Sequence, residues 1–133
     1  DCSHLLVRAN YIDEWQERRK EIRKYYIDRF DYIRPIRCLS KGFETHADSK
    51  FVIDVGAERN ELRQWLTNRG VETKIHYGLP LGELPIADNL TKPTLMSTST
   101  LITRSLLSLP LYPEMTDAEI ETVADEICQY YEP

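Results

Sequence analysis

Histidines are the side chains of this sequence best suited to chemistry, and there are three of them, His4, His46 and His76. Imidazole titrates near neutral pH, so it can bind a ligand or move a proton. His76 ends a predicted strand directly before a loop rich in glycine and proline, where rigid elements commonly deliver side chains to sites. His46 lies in a polar loop and is a second candidate for facing a ligand. His4 falls in a predicted helix, and we interpret it as a packed or solvated residue.

The other reactive residue types form no recognisable catalytic or metal-binding motif. The cysteines, Cys2, Cys38 and Cys128, are far apart and include no C-x-x-C pair. This spacing predicts three reduced thiols rather than a zinc site or a disulfide framework. The sequence also lacks a glycine-rich phosphate loop, a G-x-S-x-G elbow and an H-E-x-x-H helix. Taken alone, these patterns predict a soluble α/β domain that is a fragment of a longer protein.

Composition and charge exclude several partners. The chain has 133 residues, enough for one domain, and a formal net charge of -5, which argues against nucleic acid as a general partner. Its basic cluster at 18–24 is interrupted by glutamates, which is typical of a solvated helix face with weak ion pairs. The sequence has no apolar run near the roughly 20 residues of a membrane span, so no membrane partner is expected.

Hydrophobic periodicity predicts the elements that must position these side chains. An apolar pattern of nearly helical spacing predicts one long helix over 2–31, and because the pattern is already running at the start, we expect the helix to begin upstream of residue 1. Residues 51–55 are short, apolar and β-branched, as in a strand. Residues 58–69 carry a helical apolar face, and Gly70 stands where a glycine ends a helix. The stretch 36–50 has no strong period.

The second half of the chain predicts a further strand, a loop and a terminal helix. Residues 71–77 alternate, which places Tyr77 on the apolar, buried face as a structural residue and His76 on the polar face, partly exposed. Residues 105–109 predict a strand, whereas 86–100 favour no element. Thr116 and Glu119 form a capping box that predicts a helix over 117–130. The fold class expected is α/β in the α+β two-layer sense, with a three- or four-stranded sheet and packed helices.

Three segments carry a resemblance to a known family: YIDEWQERR at 11–19, GVETKIHYGLPL at 70–81 and LLSLPLYPEMT at 106–116. They resemble the YLDEWNERR helix, the G-(I/V)-x-T-x-I-H-Y-P-x-P-L-H segment and the LSLPmyPemt stretch of DegT/DnrJ/StrS-type sugar aminotransferases. The three occur in the family's order, with roughly its spacing, and span nearly the whole chain. The sequence is thereby identified as similar to the C-terminal small domain of these fold-type I enzymes, over residues 1–133.

The resemblance implies a function for the longer protein. Such enzymes use pyridoxal phosphate to move an amino group from an amino acid, usually glutamate, onto a nucleotide-linked keto-sugar. Their cofactor lysine and phosphate contacts belong to a large domain, so the resemblance implies that this fragment holds no cofactor, no metal and no catalytic residue and is inactive alone. It implies substrate contacts at His76 and Tyr77, which match the family's H-Y pair. It also implies a cytoplasmic homodimer with no nucleic-acid or membrane partner.

Departures from the family pattern bear on which sugar is bound and on whether the longer protein is active. Gly78 stands where the family usually has proline, Gly82 where it has histidine, and Ser49 where it often has histidine or tyrosine. Two alternatives stay open. One is a non-catalytic regulatory or assembly domain of the same fold, and the other is the small domain of a related pyridoxal-phosphate-dependent sugar dehydratase.

Overall fold

A computed structural model describes residues 2–39, 47–86 and 97–132 of the chain. Five α-helices and three β-strands lie within these residues. The helices are α1 Cys2–Ala9, α2 Ile12–Phe30, α3 Arg59–Asn68, α4 Ser97–Ser105 and α5 Asp117–Tyr131, and the strands are β1 Arg37–Cys38, β2 Phe51–Asp54 and β3 Leu106–Leu109. Short 3₁₀ turns lie at Gly56–Glu58 and Leu81–Glu83. The predicted combination of helices and a small sheet is confirmed.

The three strands form one antiparallel sheet in the order β1-β2-β3. Ile53 pairs with Leu107, and Val52 pairs with Ser108. Because directly paired residues share a face of the sheet, Ile53 and Leu107 lie on one face and Val52 and Ser108 on the other. Ile53 and Leu107 are fully buried, whereas Val52 is only partly buried. The helices therefore cover the face that carries Ile53.

The core joins this covered face to three helices. Tyr26 and Phe30 of α2 stack on each other, and the Tyr26 ring centroid lies 5.1 Å from that of Phe51. From α3 and α5, the aliphatic residues at helical spacing complete the core. The buried members are Leu62 and Leu66 of α3 and Ile120, Val123, Ala124 and Ile127 of α5. Apolar burial of this kind is the main source of stability of such a small domain.

The predicted single helix over 2–31 is two helices. At Asn10 and Tyr11 the backbone N–H groups bond to the carbonyls of Val7 and Arg8, three residues back, and α2 resumes when the Trp15 N–H bonds to the Tyr11 carbonyl. The tighter i to i−3 bonds interrupt the α-helical ladder, and periodicity alone does not reveal such a break. The side chains of Leu5, Leu6 and Val7 on α1 are exposed.

The predicted strand over 71–77 is wrong as a strand. Val71 and Thr73 are buried and Glu72 and Lys74 are exposed, as the alternation predicts. However, only Lys74 makes a bridge to the sheet, through two backbone hydrogen bonds with Ser108 of 2.8 and 3.0 Å. The chain then bends at His76, so the pairing with β3 is not extended into a ladder.

Helix α4 occupies part of a stretch for which the sequence predicts no element, and it includes Ser105, which the sequence places in a strand. Its composition, STSTLITRS, is rich in residues of low helix propensity. Tertiary contacts hold it instead: the Arg59 guanidinium donates to the Thr103 carbonyl at 3.2 Å, and the Val55 N–H donates to the Ser105 carbonyl at 3.1 Å. Strand β1 was missed because two residues carry no period.

The helix ends with explicit capping signals are confirmed. Thr116 and Glu119 form both hydrogen bonds of the capping box at the start of α5. At the end of α3, Gly70 has φ of +79°, its N–H donates to the Thr67 carbonyl, and the Val71 N–H donates to the Leu66 carbonyl at 2.9 Å. These two bonds are the Schellman pattern, which requires a left-handed residue at the position of Gly70.

Candidate functional site

His76 and Ser108 form the polar centre of the candidate site. The bridge between Lys74 and β3 places the end of the 71–75 segment beside β3, at the edge of the sheet. There the His76 Nδ1 atom lies 2.9 Å from the Ser108 Oγ atom. His76 is half-buried, and Ser108 is 5% exposed. The expectation that His76 is partly exposed is confirmed.

Tyr77 does not lie on the buried face. Its side chain is 70% exposed, so the prediction of a buried, structural tyrosine is wrong. That prediction assumed that a regular strand continued through residue 77, whereas the chain bends at His76. The His76–Tyr77 peptide bond is cis, and the two rings meet edge to face with their centroids 5.9 Å apart. Tyr77 therefore stands beside His76 at the surface.

Lys50 lies beside Tyr77 and forms a cluster with Tyr77, His76 and Ser108. Its ammonium nitrogen lies 6.0 Å from the centroid of the Tyr77 ring, which is the outer limit of a cation–π contact. The chain before Lys50 is anchored by Asp48, which is fully buried with φ of +46° and lies 3.4 Å from the Arg23 guanidinium of α2. This buried ion pair fixes where the segment leading to Lys50 leaves the core.

A cleft of about 550 Å³ opens beside this cluster. One wall is the 70–76 segment, the floor is the end of β3, and the far wall is the first half of α5. Polar side chains of both charge signs line it, and Lys74 lies 3.4 Å from Glu72. The polar and charged lining residues are Ser49, Lys50, Glu72, Lys74, His76, Ser108, Tyr112, Glu119 and Thr122. Ammonium, hydroxyl and carboxylate groups face the same cleft, so it offers both donors and acceptors to a polar ligand.

A second cleft of about 640 Å³ lies on the other side of the same segment. Arg63 and Thr67 of α3 form its far wall, and His76 and Lys74 line it as well as the first cleft. His76 therefore stands at the rim of both concave surfaces. Of the predicted site residues, the structure brings His76 and Tyr77 together. His46 lies outside the described residues, and His4 lies in α1, remote in sequence from the cluster.

Glu119 lines the cleft, and its carboxylate is held by hydrogen bonds from Thr116. The backbone N–H of Thr116 donates to its Oε2 atom at 2.8 Å, and the Thr116 hydroxyl donates to the same atom at 2.9 Å. These hydrogen bonds stabilise the carboxylate and lower the pKa of Glu119 below its usual range. The start of α5 is thus already occupied by a negative charge of the chain itself, which complements the helix dipole.

Ser108 and Lys50 were missed by sequence reasoning. Ser108 belongs to a stretch that reads as a buried strand, and nothing local distinguishes its hydroxyl from a structural one. The contact with His76 joins residues 32 positions apart, so only the pairing of Lys74 with β3 reveals it. For Lys50, the position directly before a strand was the available signal, since strand ends are frequent sites.

The described lysines do not fit a pyridoxal phosphate site. A Schiff-base lysine needs a desolvated setting beside a phosphate cradle. Lys24, Lys50 and Lys74 are exposed, and Lys20 is paired with Glu17. Lys41 and Lys92 lie outside the described residues. Across 2–39, 47–86 and 97–132, no group of three or more metal-ligating side chains comes together, and no helix is long and apolar enough to cross a membrane.

Comparison with known proteins shows the family to which the chain belongs. The sequence profile of the DegT/DnrJ/EryC1/StrS aminotransferase family matches residues 1–128. The chain is 27% identical over 128 residues to a dTDP-3-amino-3,6-dideoxy-alpha-D-galactopyranose transaminase of Aneurinibacillus thermoaerophilus, covering 95% of this chain and 34% of that protein. It is 26% identical over 131 residues to a pleiotropic regulatory protein of Geobacillus stearothermophilus, covering 96% of this chain and 35% of that protein.

The fold matches a solved structure closely. The crystal structure of DesV of S. venezuelae in complex with a ketimine intermediate superposes with a TM-score of 0.89 at 24% identity, covering 97% of this chain and 35% of DesV. At this identity the likeness establishes the fold. The chain spans about a third of the length of the curated relatives it matches.

Proposed function

Because this chain belongs to the DegT/DnrJ/EryC1/StrS aminotransferase family, we propose that it is the C-terminal small domain of a pyridoxal-phosphate-dependent sugar aminotransferase. The longer protein moves an amino group from an amino acid, in our proposal glutamate, onto a nucleotide-linked keto-sugar. The family membership supports transamination, and the similarity to the Aneurinibacillus dTDP-sugar transaminase supports a nucleotide-sugar substrate. In this proposal the pyridoxal phosphate is held by residues outside this chain.

The observation that carries the role of this domain is the placement of His76 at the rim of the cleft. Ser108 engages one ring nitrogen at 2.9 Å, and among the described residues the other nitrogen has no hydrogen-bond partner. An imidazole nitrogen there can hydrogen-bond a sugar hydroxyl or a phosphate oxygen. Tyr77 adds an exposed aromatic ring that can cover a sugar or a base, and Lys50 adds a positive charge beside it. We infer that these residues bind and orient the sugar nucleotide.

The remaining features of the proposal concern the whole protein. We propose a homodimer that acts in the cytoplasm without nucleic-acid or membrane partners. The acidic balance of the chain, with a formal net charge of -5, is consistent with a small-molecule substrate rather than a nucleic-acid partner. His46 stays a candidate substrate contact.

The test uses the full-length protein loaded with pyridoxal phosphate and assayed for glutamate-dependent amination of dTDP-linked keto-sugars. We expect His76→Ala to lower kcat/KM for the sugar about tenfold or more, as the loss of one ligand hydrogen bond of about 1.5 kcal/mol predicts. Tyr77→Ala should lower kcat/KM as well. Tyr32→Ala is the matched control, because Tyr32 is 87% exposed and lines neither cleft.

Each assignment has a result that would contradict it. Unchanged kcat/KM with a lowered melting temperature in His76→Ala would make it a structural histidine. Equal effects of Tyr77→Ala and Tyr32→Ala would remove Tyr77 from the site. A full-length protein that aminates none of the keto-sugars would contradict the proposed function itself.

A second candidate is a regulatory or assembly domain, which the similarity to the Geobacillus pleiotropic regulatory protein favours. The related sugar dehydratase is a third reading of the same fold. The coding sequence ahead of residue 1 separates the three. A lysine in a strand-to-loop setting there supports transamination, a histidine at that place supports the dehydratase, and the absence of coding sequence supports a separate domain.

A further inference from the structure

The backbone of Ser108 is held on both sides by neighbouring segments of the chain. On one side it pairs in register with Val52 of β2. On the other side its backbone N–H donates to the Lys74 carbonyl at 2.8 Å, and its carbonyl accepts from the Lys74 N–H at 3.0 Å. A residue hydrogen-bonded through neighbours on both sides has a fixed backbone, and therefore a fixed Cβ direction. The Ser108 Cβ atom therefore has a fixed place on the face of the sheet that it shares with Val52.

Among the contacts of the described residues, this hydroxyl has one acceptor to which it can donate its hydrogen. Ser108 is 5% exposed, and the partner of its Oγ atom is the His76 Nδ1 atom at 2.9 Å. A buried hydroxyl that fails to donate its hydrogen costs about 1–3 kcal/mol. A hydroxyl that uses its hydrogen in this contact donates to Nδ1, which must carry a lone pair to accept. A neutral imidazole whose Nδ1 accepts bears its own hydrogen on Nε2.

We propose that Ser108 is a positioning residue for His76, which fixes the imidazole in the Nε2–H tautomer and directs Nε2–H to an acceptor oxygen of the ligand. The inference rests on the proposed function, in which His76 contacts the sugar nucleotide. It specifies the chemistry of that contact: His76 donates a hydrogen bond to a phosphate, hydroxyl or carbonyl oxygen. The preorganised donor loses little rotational freedom when the ligand binds, which is the energetic benefit of positioning.

Nitrogen NMR of the 133-residue chain tests the pairing without any enzymatic assay. With ¹⁵N-labelled histidine at a pH where the ring is neutral, we expect His76 to carry its proton on Nε2 and to show a hydrogen-bonded, unprotonated Nδ1. In Ser108→Ala, the Nδ1 resonance should move to that of an unbonded nitrogen. Ser108→Thr keeps the hydroxyl and should keep the wild-type signal.

Ser105→Ala is the matched control. Ser105 is also a buried serine close in sequence, but its hydroxyl donates to the Ile102 carbonyl at 2.9 Å rather than to a histidine. We expect Ser105→Ala to leave the His76 nitrogen signals in place. A proton on Nδ1 in the wild type, or the same Nδ1 shift in Ser108→Ala and wild type, would overturn the proposal.

Kinetics of the full-length protein test the consequence. We expect Ser108→Ala to lower kcat/KM for the sugar about tenfold and Ser108→Thr to lower it less. In a His76→Ala background, Ser108→Ala should cause no further decrease in kcat/KM. If Ser108→Ala lowers kcat/KM equally in the wild-type and His76→Ala backgrounds, in parallel with a lowered melting temperature, Ser108 is a structural residue and the inference is overturned. If His76→Ala itself leaves kcat/KM unchanged, the proposed role of His76 fails, and the nitrogen spectrum alone then decides whether Ser108 fixes the tautomer.

Discussion

The guanidinium carbon of Arg69 lies 3.2 Å from the centroid of the Trp65 ring, and the Arg69 Nε atom lies 2.7 Å from the Glu126 Oε2 atom. Arg69 follows α3, whereas Glu126 belongs to α5. The Trp65 indole N–H also donates to the Glu126 carbonyl at 3.1 Å. One stacked cation, one ion pair and one hydrogen bond thus join the end of α3 to α5. The segment that ends at His76 begins directly after Arg69.

Arg69→Lys is therefore not a conservative substitution. A lysine keeps the charge but loses the planar stacking and the directed Nε–H donor. We expect Arg69→Lys to lower the free energy of unfolding by about 1 kcal/mol and Arg69→Ala by about 2 kcal/mol. Urea unfolding measures both. Arg63→Ala removes an exposed arginine of the same region and should stay within about 0.5 kcal/mol of wild type; a loss as large as that of Arg69→Ala would contradict this account.

Gly70 is predicted to be the more sensitive of two nearby glycines. Its φ of +79° lies in the left-handed region, although a Cβ there would meet nothing within 4 Å. Gly70→Ala should therefore lower the free energy of unfolding by about 1 kcal/mol through backbone strain alone. Gly78→Ala is the control, because its Cβ would meet only the Ile75 methyl at 4.0 Å. Thermal unfolding compares the two variants, and equal melting temperatures would argue against the strain.

A feature could be predicted from the sequence when the residues that determine it are close together along the chain. The predicted end of α3 at Gly70 and the predicted start of α5 after Thr116 are confirmed, because their capping signals are local and chemically specific. Helix α4 could not be predicted, since its Ser/Thr-rich sequence disfavours a helix and the Arg59 contact to the Thr103 carbonyl supports it from 44 residues away. Propensity is a weak prior that such tertiary contacts override.

The site could be predicted in part for the same reason. His76 was identified as a candidate because its place at the end of a predicted strand and the family likeness both point to it, and both signals are read along the chain. The exposure of Tyr77 and the partnership of Ser108 depend on where the chain bends and which strand it meets. A period of two predicts faces only while the strand continues, so its prediction failed at the first residue past the bend.

The start of α5 should make stability depend on pH. The folded state lowers the pKa of Glu119, chiefly through the Thr116 backbone hydrogen bond. A carboxyl with a depressed folded pKa contributes stability that is present above its unfolded pKa and is lost as the pH falls through the folded pKa. Glu119→Gln keeps the capping geometry but removes the charge. We therefore expect it to be less stable than wild type at pH 7 and equally stable in strong acid.

Urea unfolding of wild type and Glu119→Gln at several pH values checks this difference. Glu121→Gln is the control, because it removes the same charge from α5 without changing the cap, and its effect at pH 7 should be smaller. A stability gap between wild type and Glu119→Gln that persists unchanged into strong acid would show that the side-chain shape, rather than the charge, stabilises the cap.

The 133-residue chain by itself is predicted neither to hold pyridoxal phosphate stably nor to transaminate. A lasting Schiff base needs a lysine that is desolvated and a phosphate held by backbone N–H groups, and the described lysines are exposed or paired with a glutamate. Surface lysines react with an aldehyde reversibly, so titration should give a weak absorbance that gel filtration removes. Lys50→Arg and Lys74→Arg should reduce that weak signal only in part, because each removes one exposed amine of several. A stoichiometric visible band that survives gel filtration would contradict the prediction, and its loss in one of these two variants would identify the lysine responsible.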